Sequence, residues 1–215
     1  MDIRINDKNG RKQEVADINN ALIVFTKNPI LGKVKTRIAE SCGNKEALEI
    51  YHKLLEINAN LITELTEIKT LIAYNKSIEN QIYKGDYIKE IQSGSNLGEK
   101  MLNAFIKCKQ KGYENIVIIG SDCPYLTPDI IQTAFEKLKT HSVVIGPSND
   151  GGYYLLGMKN INQELFKNKK WSTDSVLNDT IKNIEESNES YFLMDKLSDI
   201  DLFEDWLEYK NQLNI

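Results

Sequence analysis

Short apolar runs of strand type alternate along this chain with longer stretches that have helical periodicity. Ala21–Thr26 and Asn115–Gly120 are apolar without alternation, which is typical of strands buried on both faces. Asn44–Leu65 and Leu97–Cys108 carry apolar residues at helical spacings, which predicts amphipathic helices. Strands that alternate with helices predict a mixed, mostly parallel α/β sheet with helices on both faces. Further strands are predicted at Lys69–Tyr74, Tyr87–Gln92, Ser142–Gly146, Tyr153–Gly157 and Ser190–Met194.

The composition excludes several classes of function. Lys and Arg number 27 against 31 Asp and Glu, so the net charge of −4 argues against general binding of nucleic acid. No apolar run approaches the length of a transmembrane segment. The three cysteines fit no zinc pattern and Met1–Asp7 is polar, which predicts a cytoplasmic protein. Residues 1–20 are expected to be an extension without an assigned role, and residues 21–215 a single domain.

Capping residues predict where the helices begin. Asn96 precedes a helix with Glu99 in the capping-box position, and Thr127 is followed by Pro128 at the first helical position. The other predicted starts are at Asn44, at Ser172 or Thr173, and at Asp201 with Glu204. Ligands of open α/β sheets bind at the carboxyl ends of strands, so the polar segments that follow predicted strands are the candidate sites.

A basic loop follows the first predicted strand. It contains Lys27, Lys33, Lys35 and Arg37, with Gly32 among them to let the backbone approach a ligand. Backbone N–H groups combined with Lys and Arg form a phosphate-binding cradle. The spacing is that of neither the GxxxxGK[ST] nor the GxGxxG nucleotide loop. The segment is therefore either a phosphate-binding loop or a solvated basic loop.

Asp122 follows the strongly apolar Asn115–Gly120 run and is expected to point into the ligand crevice. A carboxylate there suits Mg²⁺ or Mn²⁺ bound together with substrate phosphates, although an Asx turn before Pro124 is the alternative. Neighbouring Cys123 has no histidine near it in sequence, which favours a small packed residue over a nucleophile.

Asp150, Gly151 and Gly152 lie between two apolar runs, a pattern that strongly indicates a β-hairpin. The same residues suit sugar binding, with glycine amides touching the sugar and Asp150 accepting a bond from a hydroxyl group. Asp150 is also the candidate for acceptor positioning or general base. Trp171 either packs beneath a helix cap or forms a wall of the sugar pocket.

Asp201 has two interpretations. With Glu204 three residues later it forms a strong N-cap signal for the C-terminal helix. Alternatively it is a second metal carboxylate, far from Asp122 in sequence but close in space, since two carboxylates with a diphosphate hold Mg²⁺ far better than one.

Taken together, these segments resemble a bacterial glycosyltransferase-like family with the GT-A fold of the nucleotide-diphospho-sugar transferases, of the type associated with arsenosugar biosynthesis and radical-SAM genes. The resemblance extends from Ala21 to Trp206 and depends on blocks that occur in order. They read FTKNPILGKVKTR, QSGSNLGEKM, IGSDCP, GPSNDGGYYLLG and WSTD, followed by DIDLFEDW.

The resemblance implies a Rossmann-like sheet in which Lys33, Lys35 and Arg37 face a diphosphate. It places Gln92, Gly94 and Leu97 near the base and ribose, and it gives Asp122 and Asp201 the role of metal ligands. The chain departs from the family pattern at Asn96, Lys100, Leu202 and Phe203, where members usually have Asp, Arg, Thr and Pro.

These features predict a metal-dependent glycosyltransferase that moves a sugar from a nucleotide-diphospho-sugar to an acceptor, with Asp122, Asp150 and Arg37 as catalytic residues. Charges fixed near the departing diphosphate would stabilise the transition state. The first alternative is a nucleotidyltransferase that joins a nucleoside triphosphate to a sugar phosphate or another phosphorylated acceptor and releases pyrophosphate. The second is a nucleotide-sugar-binding protein without catalysis.

Overall fold

The computed structural model describes residues 19–213, so residues 1–18 of the predicted extension lie outside the described residues. No helix of the described part is long and apolar enough to cross a membrane. The strands are β1 (Asn20–Thr26), β2 (Lys69–Tyr74), β3 (Ile88–Ile91), β4 (Asn115–Ile119), β5 (Val143–Pro147), β6 (Tyr153–Met158) and β7 (Tyr191–Leu193). The helices are α1 (Thr36–Thr63), α2 (Leu97–Gln110), α3 (Pro128–Leu138), α4 (Val176–Glu186) and α5 (Phe203–Leu213), with a 3₁₀ turn at Gln163–Phe166.

The seven strands form one sheet in the order β3-β2-β1-β4-β6-β5-β7. The pairs β1–β2, β1–β4, β2–β3 and β5–β7 are parallel, whereas β6 is antiparallel to both β4 and β5. The predicted mixed, mostly parallel sheet is therefore confirmed, and so is the predicted hairpin between β5 and β6.

Successive side chains of β1 enter different cores, which explains why this strand is apolar without alternation. Leu22 and Val24 pack in a cluster with residues of α1 and α3, while Ala21 and Ile23 pack in a cluster with residues of α2 and α4. The sheet therefore has helices on both faces, as predicted.

A third cluster joins the C-terminal helix to α1. Ile38 and Leu54 of α1 pack with Trp206 and Tyr209 of α5, and Ile200, just before α5, is fully buried in the same cluster. This packing holds the segment that precedes α5 beside the first loop of the chain.

The helix starts agree with capping chemistry at two positions. The side chain of Asn96 accepts a hydrogen bond from Glu99 N–H, and that of Thr127 accepts one from Ile130 N–H, as predicted. Two other predictions are wrong. The first helix begins at Thr36 and kinks at Gly43, where φ is 84°, so the predicted start at Asn44 is a restart after the kink. Helix α4 begins at Val176, beyond the predicted Ser172 or Thr173 cap, and has no side-chain cap.

Candidate active site

The predicted site segments meet at one edge of the sheet. Because β1 and β4 are parallel neighbours, Lys27 after β1 and Asp122 after β4 emerge at the same edge. The antiparallel β6 begins at this edge, so the turn that contains Asp150 lies there as well. The backbone N–H of Ile200 donates to the carbonyl of Asp122 at 3.0 Å, which fixes the segment before α5 against the end of β4.

These segments surround a cleft with two distinct parts. The polar half contains most of the charged side chains, among them Lys27, Lys35, Arg37, Asp122, Asp174 and Asp201. The apolar half is lined by side chains that include Phe25, Leu97, Met101, Tyr153 and Trp171. Asp150 and Asp199 line both halves, so the two halves adjoin at these carboxylates.

The cleft includes many, but not all, of the predicted site residues. Those that line it are Lys27, Lys35, Arg37, Leu97, Asp122, Asp150, Gly152, Trp171 and Asp201. Those that are not among the residues lining either half are Gly32, Lys33, Gln92, Gly94 and Gly151.

Lys35 lies at the centre of the charged side chains of the polar half. Its ammonium is 3.0 Å from Asp122 Oδ1 and 3.7 Å from Asp201 Oδ1, and it donates to the carbonyl of Ile200 at 2.6 Å. Only 6% of the Lys35 side chain is exposed, whereas Arg37, which is 3.6 Å from Asp201, is 64% exposed. Of these two cations, Arg37 is therefore the one that is open to a ligand.

The same contacts bear on the predicted metal site. Within residues 19–213, no group of three or more His, Cys, Asp or Glu side chains is arranged to hold a metal ion. The predicted ligands Asp122 and Asp201 are joined to each other through the Lys35 ammonium. As it stands, this pair does not fit a divalent cation, because a positive charge already lies between its carboxylates.

Tyr51 of α1 holds the start of the basic loop in place. Its phenol accepts a hydrogen bond from Lys27 N–H at 2.9 Å and donates to the Lys27 carbonyl at 3.0 Å, and it lies 3.4 Å from Ser121 Oγ. Burial and the nearby charge of Asp122 raise the pKa of Tyr51 to about 12, so the phenol keeps its proton. Sequence reasoning placed Tyr51 in the apolar stripe of a helix and missed this role.

Asp150 closes the turn between β5 and β6. Its Oδ1 accepts bonds from Gly152 N–H at 2.9 Å and from the Ser148 hydroxyl group. Gly151 has φ of 86°, and a Cβ there would come within 2.3 Å of the Asp174 carbonyl oxygen. The turn therefore has a structural role and also presents Asp150 to both halves of the cleft.

Asp201 does not cap the C-terminal helix, contrary to the capping interpretation. The carboxylate of Asp205 accepts bonds from the N–H groups of Asp201 at 2.9 Å and Leu202 at 2.7 Å. Asp205 thus performs the capping that the sequence suggested for Asp201 with Glu204. The Asp201 carboxylate is left to face Lys35 and Arg37.

Asp199 joins this site although the sequence singled it out only as a neighbour of Asp201. Burial, together with the negative charges of Asp122 and Asp150, raises the pKa of Asp199 to about 7, against the opposing effect of Lys35. A carboxyl group with this pKa exchanges its proton near neutral pH, which is the property expected of a general acid or base.

The apolar half depends on close packing around Trp171. A Cβ at Gly98 of α2 would lie 2.6 Å from the Trp171 ring and 2.5 Å from the Phe166 carbonyl oxygen, so only glycine fits there. The hydroxyl group of Tyr153 is buried in this half and has no hydrogen-bond partner among the described residues. Sequence reasoning missed Gly98, although a glycine inside a helical stripe is a signal of close packing.

Two further predicted residues have structural contacts. The side-chain amide of Gln92 donates to the carbonyls of Ala73 at 2.9 Å and Thr26 at 3.3 Å, which joins the ends of β1 and β2. Gly94 has φ of 140°, and a Cβ there would lie 2.8 Å from Lys100 N. Cys123 is buried, and burial raises the pKa of its thiol to about 12, in agreement with a packed residue.

Solved structures share this architecture. The chain is 26% identical to a provisionally named nucleotide-diphospho-sugar transferase from Desulfovibrio desulfuricans G20, with a TM-score of 0.85 over 91% of this chain and 88% of that one. It is 11% identical to 4-diphosphocytidyl-2C-methyl-D-erythritol synthase from Anaerococcus prevotii DSM 20548, with a TM-score of 0.59 over 92% and 100%. The figures for 2-C-methyl-D-erythritol 4-phosphate cytidylyltransferase from Thermus thermophilus are 11%, 0.53, 91% and 100%.

The protein therefore has the Rossmann-like fold found in nucleotide-diphospho-sugar transferases and nucleotidyltransferases, as the resemblance implied. Residues 59–173 match the model of a family described as "Uncharacterized protein conserved in bacteria" (DUF2064), and the chain belongs to this family. None of the curated proteins matches the chain.

Proposed function

We propose that the protein transfers a sugar from a nucleotide-diphospho-sugar to an acceptor hydroxyl group. One observation carries this proposal: a single cleft in which a half with exposed cations adjoins an apolar half across Asp150 and Asp199. A nucleotide-diphospho-sugar has a matching polarity, because its diphosphate carries the negative charge and its sugar ring presents C–H faces that pack on aromatic rings such as Trp171. The similarity to the named transferase of Desulfovibrio desulfuricans supports the same class of substrate.

The polar half would bind the diphosphate through Lys27 and Arg37. During transfer the bond between the sugar carbon and the diphosphate oxygen breaks, and negative charge grows on the departing nucleoside diphosphate. Cations fixed at that position stabilise the transition state more than the ground state. The metal dependence expected from the resemblance stays a prediction, and the proposed route uses only the cations of the chain itself.

The carboxylates shared by the two halves would act on the acceptor. As the acceptor oxygen forms its bond to the sugar carbon, its proton must go to a base. Asp199, with a pKa of about 7, is the proposed base. Asp150 has one carboxylate oxygen committed to its own turn, so its proposed role is to position the acceptor with the other oxygen.

Nucleotidyl transfer is the second candidate. The fold is shared with two cytidylyltransferases, and the same cations could bind a nucleoside triphosphate. The released product separates the two reactions, since sugar transfer releases a nucleoside diphosphate and nucleotidyl transfer releases pyrophosphate.

Binding is tested first by thermal unfolding with UDP-, GDP-, TDP- and CDP-sugars and with nucleoside triphosphates, each with Mg²⁺, Mn²⁺ or EDTA. A ligand at 100 times its Kd adds about 2.7 kcal/mol, which raises the Tm of a domain of this size by about 5–11 °C. A nucleotide-sugar that binds is then incubated with a panel of acceptors, and the products are separated by ion-exchange chromatography.

Arg37→Ala should lower the transfer rate by roughly 10²–10³, as expected when one group that stabilises the transition state is removed. Lys53→Ala is the matched control, because Lys53 lies on the exposed face of α1 and pairs only with Glu56 among the described residues. Pyrophosphate as the product would favour the second candidate. Binding without turnover would indicate a nucleotide-sugar-binding protein, and the absence of any binding would overturn the proposal.

A further inference from the structure

The ammonium group of Lys35 has the surroundings of a bound cation. Three oxygen atoms from separate parts of the chain face it, those of Asp122, Asp201 and the Ile200 carbonyl, at 3.0, 3.7 and 2.6 Å. An ammonium carries three N–H donors and no acceptor, so this set of oxygens matches its bonding capacity. With 6% of the side chain exposed, the charge is largely removed from water and depends on these partners.

The backbone of Lys35 supports the importance of this placement. Lys35 has φ and ψ of 47°, in the left-handed region that is unfavourable for a residue with a side chain. A glycine would adopt this conformation at lower cost, but it would leave the two carboxylates without a cation between them. The fold keeps a lysine here, and the lysine carbonyl accepts the first bond of α1, from Ala39 N–H at 2.9 Å.

A divalent ion that bridged Asp122 and Asp201 would need the oxygens that Lys35 already uses. It would also lie within a few ångströms of the ammonium, where two positive charges repel each other strongly in a partly buried site. We infer that the Lys35 ammonium is the resident cation of the Asp122–Asp201 pair, and that it excludes divalent metal ions from this pair.

This inference reassigns three predicted residues without depending on which transfer reaction occurs. Lys35 becomes a positioning residue, which holds the ends of β4 and α5 together through the carboxylates and the Ile200 carbonyl. Asp122 and Asp201 become its partners. Binding of the substrate diphosphate is left to cations with more exposure, above all Arg37.

Binding of Mn²⁺ to the full-length protein without nucleotide tests the inference. Free Mn²⁺ is measured by electron paramagnetic resonance during titration of the wild type, Lys35→Met and the matched control Lys53→Met. Removal of the resident ammonium should raise Mn²⁺ affinity by at least about tenfold in Lys35→Met, because a repulsive charge is lost and two carboxylates become free. The control should behave as the wild type, and Asp122→Asn added to Lys35→Met should abolish the gain.

Equal Mn²⁺ affinity in the wild type and Lys35→Met would overturn the inference, provided that circular dichroism shows both proteins to be folded. A second measurement needs no variant of Lys35 in the metal titration. The ¹⁵N-labelled lysine ammonium groups of the wild type are observed by NMR, and the hydrogen-bonded Lys35 signal is assigned by its loss in Lys35→Arg. This signal should persist when stoichiometric Mn²⁺ is added, and its selective paramagnetic broadening would show that a metal ion reaches the pair.

Discussion

The two halves of the cleft are built by opposite means. In the polar half, Lys35, Asp122 and Asp201 hold one another by charge, and their contacts join residues that are far apart in the sequence. In the apolar half, Trp171 is held by close packing against Gly98 of α2. The geometry of the first half therefore depends on ionisation, whereas that of the second depends on volume. Substitutions that alter charge and substitutions that alter volume should thus separate the two halves.

Gly98→Ala should have the largest effect on stability, and it acts on the apolar half. The added Cβ would overlap the Trp171 ring and the Phe166 carbonyl oxygen, so the packing must shift at a cost of about 2–3 kcal/mol. Urea unfolding measures the loss, and the emission of Trp171 should change with it. Gln110→Ala at the end of the same helix is the control, and an equal loss in both variants would contradict the role of close packing.

Asp122→Ala should come next, with a loss of about 2 kcal/mol, because it removes the partner of a largely buried ammonium. The loss is smaller than for a fully buried pair, since 39% of the Asp122 side chain is exposed. The double variant Asp122→Ala with Lys35→Met should recover part of this loss in a double-mutant cycle. Additive losses would show that the two residues do not interact.

Asp199→Asn should stabilise the protein, and more so at higher pH. The folded pKa of about 7 lies above the ordinary value of 3.8, so the folded wild type binds more protons than the unfolded chain between these pH values. Wild-type stability is therefore lost as the pH rises towards 7, and asparagine avoids this loss. A gain of about 1–2 kcal/mol, or roughly 2–6 °C in Tm, is expected at pH 8 and less at pH 5. A gain that does not vary with pH would rule out this explanation.

Tyr153→Phe should have the smallest effect, a gain of about 1 kcal/mol, because it removes a buried hydroxyl group that has no partner among residues 19–213. Tyr154→Phe is the matched comparison in the next residue. It removes a hydroxyl group that donates to the Asp195 carbonyl at 2.9 Å, so it should lower the Tm instead. Thermal unfolding of both variants checks the difference in sign.

Local patterns predicted the elements of the fold well. The apolar β1 run, the capping box at Asn96 and the Asp-Gly turn each depend on residues within one element or one turn, and the structure has all three features. The start of α1 was wrong because Gly43 looks like a terminator, but the structure keeps it as a kink inside the helix.

The candidate site was predictable in its location but not in its contacts. The order of strands and helices places polar residues after β1 and β4 at one edge. However, the bond from Lys35 to Ile200 spans 165 positions, and no local pattern reports such a contact. The first loop therefore looked like a uniform set of phosphate ligands, although Lys35 is buried among carboxylates while Arg37 is open to solvent.

The capping of α5 by Asp205 separates two tasks that one acidic residue could not perform together. Asp205 satisfies the backbone at the start of the helix, and this leaves Asp201 available to the cleft. If Asp205 were lost, the carboxylate of Asp201 would become the nearest substitute cap, and its recruitment would withdraw a charge from Lys35. A position that faces no ligand would then show the mutational sensitivity of an active-site residue.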